Sequence, residues 1–155
     1  MARRCSWSPR GIRAVADKPV NHGDNITVLG AIRLCGTVAL RSYRGAMNSR
    51  RFVQWFSKVL LPRLSRDDVV VMDNLRAHHA ADLAKAAHDV GVHILYLPPY
   101  SPDLNPIEML WNVFKRRLEK MARRTTRALK QAIRTTWAAF RDREFRMMFQ
   151  ACGYE

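Results

Sequence analysis

Two carboxylates stand where this chain has the means to fix them. Asp73 closes the apolar run Val69-Val70-Val71-Met72, and Glu108 follows Asn105-Pro106-Ile107. The C-terminal end of a strand buried in a sheet is where open α/β folds place their ligands. Asp73-Asn74 is equally good turn chemistry, and Asp73 can cap a following helix. Glu108 lies three residues after Asn105, with Pro106 between them, which is the order of a helix start of the capping-box kind. In that place it either caps the helix and favours the positive end of its dipole, or it is held firmly enough to ligate a metal. Asn112 and Lys115, at i+4 and i+7, share its polar face, while the apolar stripe points elsewhere. Carboxylate oxygens suit hard cations such as Mg²⁺ or Mn²⁺. Two such ions about 3.5–4 Å apart can activate an attacking oxygen and stabilise a leaving one. Left bare, two carboxylates about 4 Å apart repel by roughly 4 kcal/mol at an effective dielectric of 20. The pair then loses one charge or spreads open.

Other chemistries find little support. His78 and His79 are adjacent, and His88 and His93 do not repeat a helical i, i+4 ligand pair, which argues against zinc. There is no Gly-x-x-x-x-Gly-Lys phosphate loop, no Gly-x-Gly-x-x-Gly fingerprint and no Gly-x-Ser-x-Gly elbow. Cys5, Cys35 and Cys152 lie far apart, against a disulfide framework or a zinc knuckle. The apolar runs, such as Ile26 to Ile32, are too short to span a bilayer, and no apolar stretch follows Arg3-Arg4 to make a secretory signal. These features predict a soluble protein of a reducing compartment, with no membrane partner.

Charge points to a polyanion. The 155 residues carry 27 Lys and Arg against 13 Asp and Glu, a net charge of +14, while 48% are apolar, so the chain is no disordered polycation. Residues 51–108 hold six basic and seven acidic groups, whereas residues 109–155 hold twelve and four, a net +8. A near-neutral middle and a cationic end suggest a buried core beside a surface that meets phosphates, with a solvated helix face as the alternative. The densest stretch is Arg116, Arg117, Lys120, Arg123, Arg124 and Arg127. With Lys115, these are the expected contacts to a DNA backbone.

The elements that must position these groups read as one domain over 1–155: an irregular lead-in (1–24), a core (25–122) and a C-terminal basic helix (123–155). Ser8-Pro9-Arg10-Gly11 and Asn21-His22-Gly23-Asp24 are turn chemistry. Asn25 to Leu34 and Gly36 to Tyr43 form a predicted hairpin. Asn48-Ser49 caps a helix over Arg50 to Leu61, which Pro62 ends. Asp68 to Met72 and Val92 to Leu97 read as strands buried on both faces, with a helix over Ala80 to Val90 between them. Pro98, Pro99 and Pro102 enforce an extended loop. A helix opens at Asn105-Pro106 with Leu110, Trp111, Phe114, Leu118 and Met121 at helical spacing, and a last helix starts near Thr126 with Leu129, Ile133, Trp137 and Phe140. Trp111 and Trp137 are expected in the core. The order β-β-α-β-α-β-α-α predicts an α/β fold with a mixed sheet flanked by helices.

The segment Leu97-Pro98-Pro99-Tyr100-Ser101-Pro102-Asp103-Leu104-Asn105-Pro106-Ile107-Glu108, followed by Trp111, resembles the hallmark of mariner-like DDE transposases of bacterial insertion sequences. Val71-Met72-Asp73-Asn74 with His78, and Trp7-x-Pro9-Arg10-Gly11, are similar to further elements of that family, as is the interval of 34 residues between Asp73 and Glu108. The resemblance implies a ribonuclease H-like fold and Mg²⁺- or Mn²⁺-dependent cleavage and strand transfer of DNA during transposition. It makes Asp73 and Glu108 the second and third catalytic, metal-binding acids, with Asn74, His78, Asn105 and Asn112 in support. The family's first strand and first Asp, which precede the Trp7 element, have no counterpart among Met1 to Ser6; Asp17 and Asp24 follow that element and do not replace it. The chain is therefore expected to be an N-terminally incomplete domain, inactive alone. Its expected partners are transposon ends and target DNA, an upstream fragment or full-length transposase, and further copies when active. The alternative is a catalytically dead DNA-binding remnant that modulates a full-length transposase. Either would work in the bacterial cytoplasm, at the nucleoid.

Overall fold

The structure, a computed structural model, describes residues 8–12, 25–74, 81–123 and 125–154. Asn25 to Arg44 forms the expected hairpin, with β1 over Ile26–Arg33 and β2 over Gly36–Arg44, antiparallel and interrupted by a bulge between Ala31 and Ile32. Asn48 caps α1 (Ser49–Trp55), its side chain accepting from the Arg51 N–H at 2.9 Å. The helical path continues through a π turn (Phe56–Leu60) and a 3-10 turn (Leu61–Arg63) that takes in Pro62. Then come β3 (Val69–Met72), α2 (Ala81–Asp89), β4 (His93–Tyr96), a 3-10 turn at Pro102–Leu104, and α3 (Pro106–Met121), α4 (Thr126–Ala138) and α5 (Asp142–Ala151). This is the mixed α/β fold expected, with helices against small sheets.

Three expectations need correction. The strands form two two-stranded ladders, β1-β2 antiparallel and β3-β4 parallel, with no ladder joining them among the described residues. Accordingly β3 and β4 are not buried on both faces: Val69 is 57% and Leu95 52% exposed. A continuous apolar run signals a strand flanked by sheet neighbours and helices, and among the described residues neither edge of either two-stranded ladder has a further strand beside it. Finally, the C-terminal region is two helices. Phe140 sits in the turn between α4 and α5, and the backbone N–H of Arg141 donates to Glu144 at 3.0 Å, starting a new helix.

Two cores lie on either side of the β1-β2 hairpin. Leu29, Ala31 and Tyr43 pack with Phe52, Trp55, Phe56, Leu60, Leu83 and Ala87. Ile26, Val28 and Leu40 pack with Leu110, Phe114, Leu118, Ile133, Trp137 and Phe145. The period-2 alternation of β1 thus assigns its side chains to two different cores. Trp137 is buried and Trp111 half-buried; their rings lie 5.4 Å apart, each against Phe114, in the core as expected. They cover β1 at Gly30, where a Cβ would collide with the Trp137 ring and stand 3.1 Å from that of Trp111. α3 ends on Ala122 in the left-handed region, φ 47°, a conformation that costs an L-residue roughly 1–2 kcal/mol.

Two substitutions test this packing. Gly30→Ala overpacks the tryptophan seat and is expected to lower stability by about 1–3 kcal/mol in urea unfolding, with most of the loss recovered when combined with Trp137→Phe. Ala122→Gly relieves the C-terminal strain and is expected to raise stability by about 1 kcal/mol in the same measurement.

Candidate metal centre

The position of Asp73 is set by the β3-β4 ladder. The N–H groups of His93 and Leu97 donate to the carbonyls of Asp68 and Met72, both at 2.9 Å, so the last rung closes one residue before Asp73. From that rung the chain runs through Pro98 and Pro99, with Tyr100 fully exposed in the left-handed region (φ 59°). The sequence offers no sign of Tyr100's conformation, because a strained backbone has no signature in composition. The loop then closes in the 3-10 turn, where the Asn105 N–H reaches Pro102 O at 3.1 Å. From the C-terminal end, the Tyr154 hydroxyl donates to Leu104 O at 2.9 Å. Burial, then the neighbouring Cys152 thiol, pushes the Tyr154 phenol up, keeping it a donor.

Glu108 lies in the first turn of α3. The expected capping box is not formed: Asn105 is the N-cap, but its side chain makes no capping hydrogen bond and is buried. The Glu108 N–H is satisfied instead by the Asn105 carbonyl at 3.0 Å. The Asn105 N–H, which a capping Glu108 carboxylate would take, reaches the Pro102 carbonyl.

Asp73 and Glu108, both half-buried, line one cavity of about 670 Å³. Asn105, Trp111 and Tyr154 line it too, as do consecutive residues of β1 and β3. Arg33 and Asp68 line it as well, and their ion pair (3.4 Å) ties the C-terminal end of β1 to the start of β3. Among the described residues, no cluster of three or more His, Cys, Asp or Glu forms a ready metal site. The donors present are right in kind for a hard cation, and two carboxylates leave most of a six-ligand shell to other donors.

A sequence profile described as "DDE superfamily endonuclease" matches residues 1–131. The chain belongs to this family. The transposable element Tc1 transposase of Caenorhabditis elegans is 28% identical over 125 residues, covering 77% of this chain and 46% of that protein. Among solved structures, the Mos1 mariner paired end complex with Mn is similar at a TM-score of 0.80 and 19% identity, over 97% of this chain and 47% of that one. The Mos1 paired end complex with Mg is similar at a TM-score of 0.79 and 18% identity, with the same coverage. This member of the family thus spans about half the length of the relatives it matches.

The remaining expected residues fall into distinct surroundings. Asn74 and Asn112 are exposed, and His78 lies outside the described residues. Lys115, Arg116, Lys120, Arg123 and Arg127 are exposed, and Arg124 lies outside the described residues. Arg117 differs from them: its guanidinium pairs with Glu144 and stacks 4.3 Å from the Phe140 ring centroid, joining α3 to the start of α5. Behind the site, Cys152 is buried with its thiol pushed up, by burial first and by Asp103 second. Cys35 is exposed. Since the thiolate is the nucleophile, iodoacetamide at mildly alkaline pH is expected to label Cys152 at least about tenfold more slowly than Cys35. Peptide mapping over time reads both rates, and equal labelling refutes this account of the C-terminal packing.

Proposed function

We propose that this chain is the catalytic-domain portion of a DDE-type DNA transposase, with Asp73 and Glu108 holding Mg²⁺ or Mn²⁺ beside a phosphodiester of transposon DNA. The observation that carries this reading is that two acids with 34 residues between them in sequence line a single cavity at the end of β3. A bound divalent ion would supply Lewis acidity to the oxygens of the scissile phosphate. Asn105 backs the turn that carries Glu108, with Asn74 and Asn112 at the margins. The exposed Lys115, Arg116, Lys120, Arg123 and Arg127 meet the DNA backbone, which positions the duplex without reading its sequence. The Mn- and Mg-containing Mos1 complexes support the choice of ion and of transposon ends as partner. The Leu97–Glu108 segment supports an origin in a bacterial insertion sequence, and hence work in the cytoplasm at the nucleoid. No helix among the described residues is long and apolar enough to cross a membrane.

A second reading, a DNA-binding remnant that modulates a full-length transposase, is favoured by the two-acid donor set. In both readings the chain alone performs little or no strand transfer.

Mn²⁺ titration followed by paramagnetic broadening tests the metal site without requiring activity. Amide signals flanking Asp73 and Glu108 are expected to broaden first, and Asp73→Asn or Glu108→Gln to weaken binding by at least about tenfold. Broadening unaffected by both substitutions refutes the site. DNA binding is expected to survive both substitutions and to fall with log salt at a slope of about −0.9 per phosphate neutralised.

A further inference from the structure

We infer that the side-chain carboxamide of Asn105 is a substrate contact, donating a hydrogen bond to an oxygen of a phosphodiester held beside Asp73 and Glu108. The inference rests on the function proposed above and adds to it a neutral donor, which two acids cannot supply.

The local structure isolates this side chain. An asparagine at an N-cap ordinarily accepts from an N–H of the first helical turn. Asn48 does so at α1, where the Arg51 N–H reaches it at 2.9 Å, and Thr125 does so at α4, where the Ala128 N–H reaches it at 3.2 Å. Asn105 has the extended backbone of an N-cap, φ −111° and ψ 102°, yet its side chain caps nothing. The Glu108 N–H is taken by the Asn105 carbonyl, and the Asn105 N–H by the Pro102 carbonyl. The residue is nevertheless only 7% exposed. Among the described residues its carboxamide has no hydrogen-bond partner. Buried polar side chains are bonded in the great majority of cases. One that forgoes both its cap and a partner is held for a ligand.

The cavity is where that ligand lies. Asn105 lines it together with Asp73 and Glu108, and opens the helical turn on which Glu108 stands. Other donors of the lining are already engaged. The Arg33 guanidinium reaches Asp68 and the Arg63 carbonyl, and the Tyr154 hydroxyl donates to the Leu104 carbonyl. Trp55 and Trp111 are fixed by their rings, the first against Phe52 and the second against Phe114 and Trp137. Among the described lining residues, Asn105 is thus the side chain with two N–H donors and nothing bonded to them.

The chemistry of the donor sets the class of ligand. Ionised carboxylates only accept hydrogen bonds, so Asp73 and Glu108 offer nothing to the oxygens of a phosphodiester. The opening turn of α3 favours negative charge, but Glu108 already occupies part of that field. An anion settles there only when a divalent cation offsets the acids. A cationic side chain in place of Asn105 would be drawn into an ion pair with Glu108. A carboxamide donates without joining one, and stays available to the phosphate.

The test uses the whole 155-residue protein, saturating Mg²⁺ and thymidylyl-thymidine, a dinucleotide with a single phosphodiester. The titration is followed by NMR to about 20 mM dinucleotide, a range that reads even millimolar binding. The Asn105 side-chain amide protons are expected to shift together with the backbone amides of Asp73 and Glu108. Thymidine alone is expected to leave the Asn105 side chain in place, and an equal shift with thymidine overturns the phosphodiester assignment. Shifts at Asp73 and Glu108 without one at the Asn105 side chain overturn the contact and leave the proposed function standing. No shift at any of these residues overturns the proposed function, and the contact with it. Asn105→Leu is close in size and has no donor. It is expected to bind the dinucleotide at least about tenfold more weakly, to hold Mn²⁺ within about twofold of the parent protein, and to unfold in urea at no lower concentration. Unchanged dinucleotide affinity overturns the contact. Mn²⁺ binding weakened about tenfold makes Asn105 a metal ligand instead, and a lower urea midpoint makes its carboxamide part of the fold; either result overturns the inference.

Discussion

One hydrogen bond, from the Leu97 N–H to the Met72 carbonyl, governs the site. It is the last rung of the β3-β4 ladder. On one side of it the chain enters Asp73; on the other it enters the proline-rich loop whose far end is α3 and Glu108. A parallel pair cannot be joined by a tight turn, so the two strands arrive from opposite ends of the α2 crossover. The rung is where that crossover becomes local geometry: two acids remote in sequence share the wall of one cavity because their lead-in residues are bonded to each other. Pro98, Pro99 and Pro102 carry that placement forward by fixing φ, and the Tyr154 hydroxyl anchors the turn from the C-terminal end.

How much of this is legible in the sequence depends on whether the signal is local. α3 is readable because Leu110, Phe114 and Leu118 repeat at helical spacing and all three are buried. The β1-β2 hairpin is readable because a Cys35-Gly36 break divides two β-rich runs. The α4–α5 boundary is hidden. Phe140 fits the periodicity of α4, and the charged stretch from Arg141 to Glu144 masks the start of a new helix. A signal exists in Glu144, three residues beyond Arg141, followed by Phe145 and Met148 on one face. The burial of β3 misleads for a different reason. A run of four apolar residues records what a strand is built to pack against, and among the described residues no third strand lies along the β3-β4 ladder.

The candidate site divides the same way. Residue type and spacing single out Asp73 and Glu108, but that Glu108 lines the cavity without a capping box requires the structure, because the sequence offers a box that Asn105 does not make. The basic stretch divides as well. In sequence Arg117 is indistinguishable from Arg116, yet one is stacked on Phe140 and paired with Glu144 while the other is exposed. Helix phase decides this: the residue facing α5 is drawn into the packing, and an Arg→Ala change there removes packing as well as charge.

The electrostatics of α3 complete the argument. Its first turn carries Glu108, and its later turns carry Lys115, Arg116 and Lys120, all exposed. Glu108 at the first turn and Lys120 at the last complement the helix macrodipole, with Glu119 the one residue set against it. The same order also separates the two demands of the proposed phosphodiester site. The acid of its first turn, Glu108, lies in a half-buried wall where a divalent cation can offset it, while Glu119 stands among the basic residues near the other end. Positive charge stands further along the same helix, exposed to solvent, where it can attract a polyanion over a Debye length of about 8–10 Å. One rigid element thereby sets the distance between the groups suited to a metal and those suited to a DNA backbone, and a displacement of α3 moves both together.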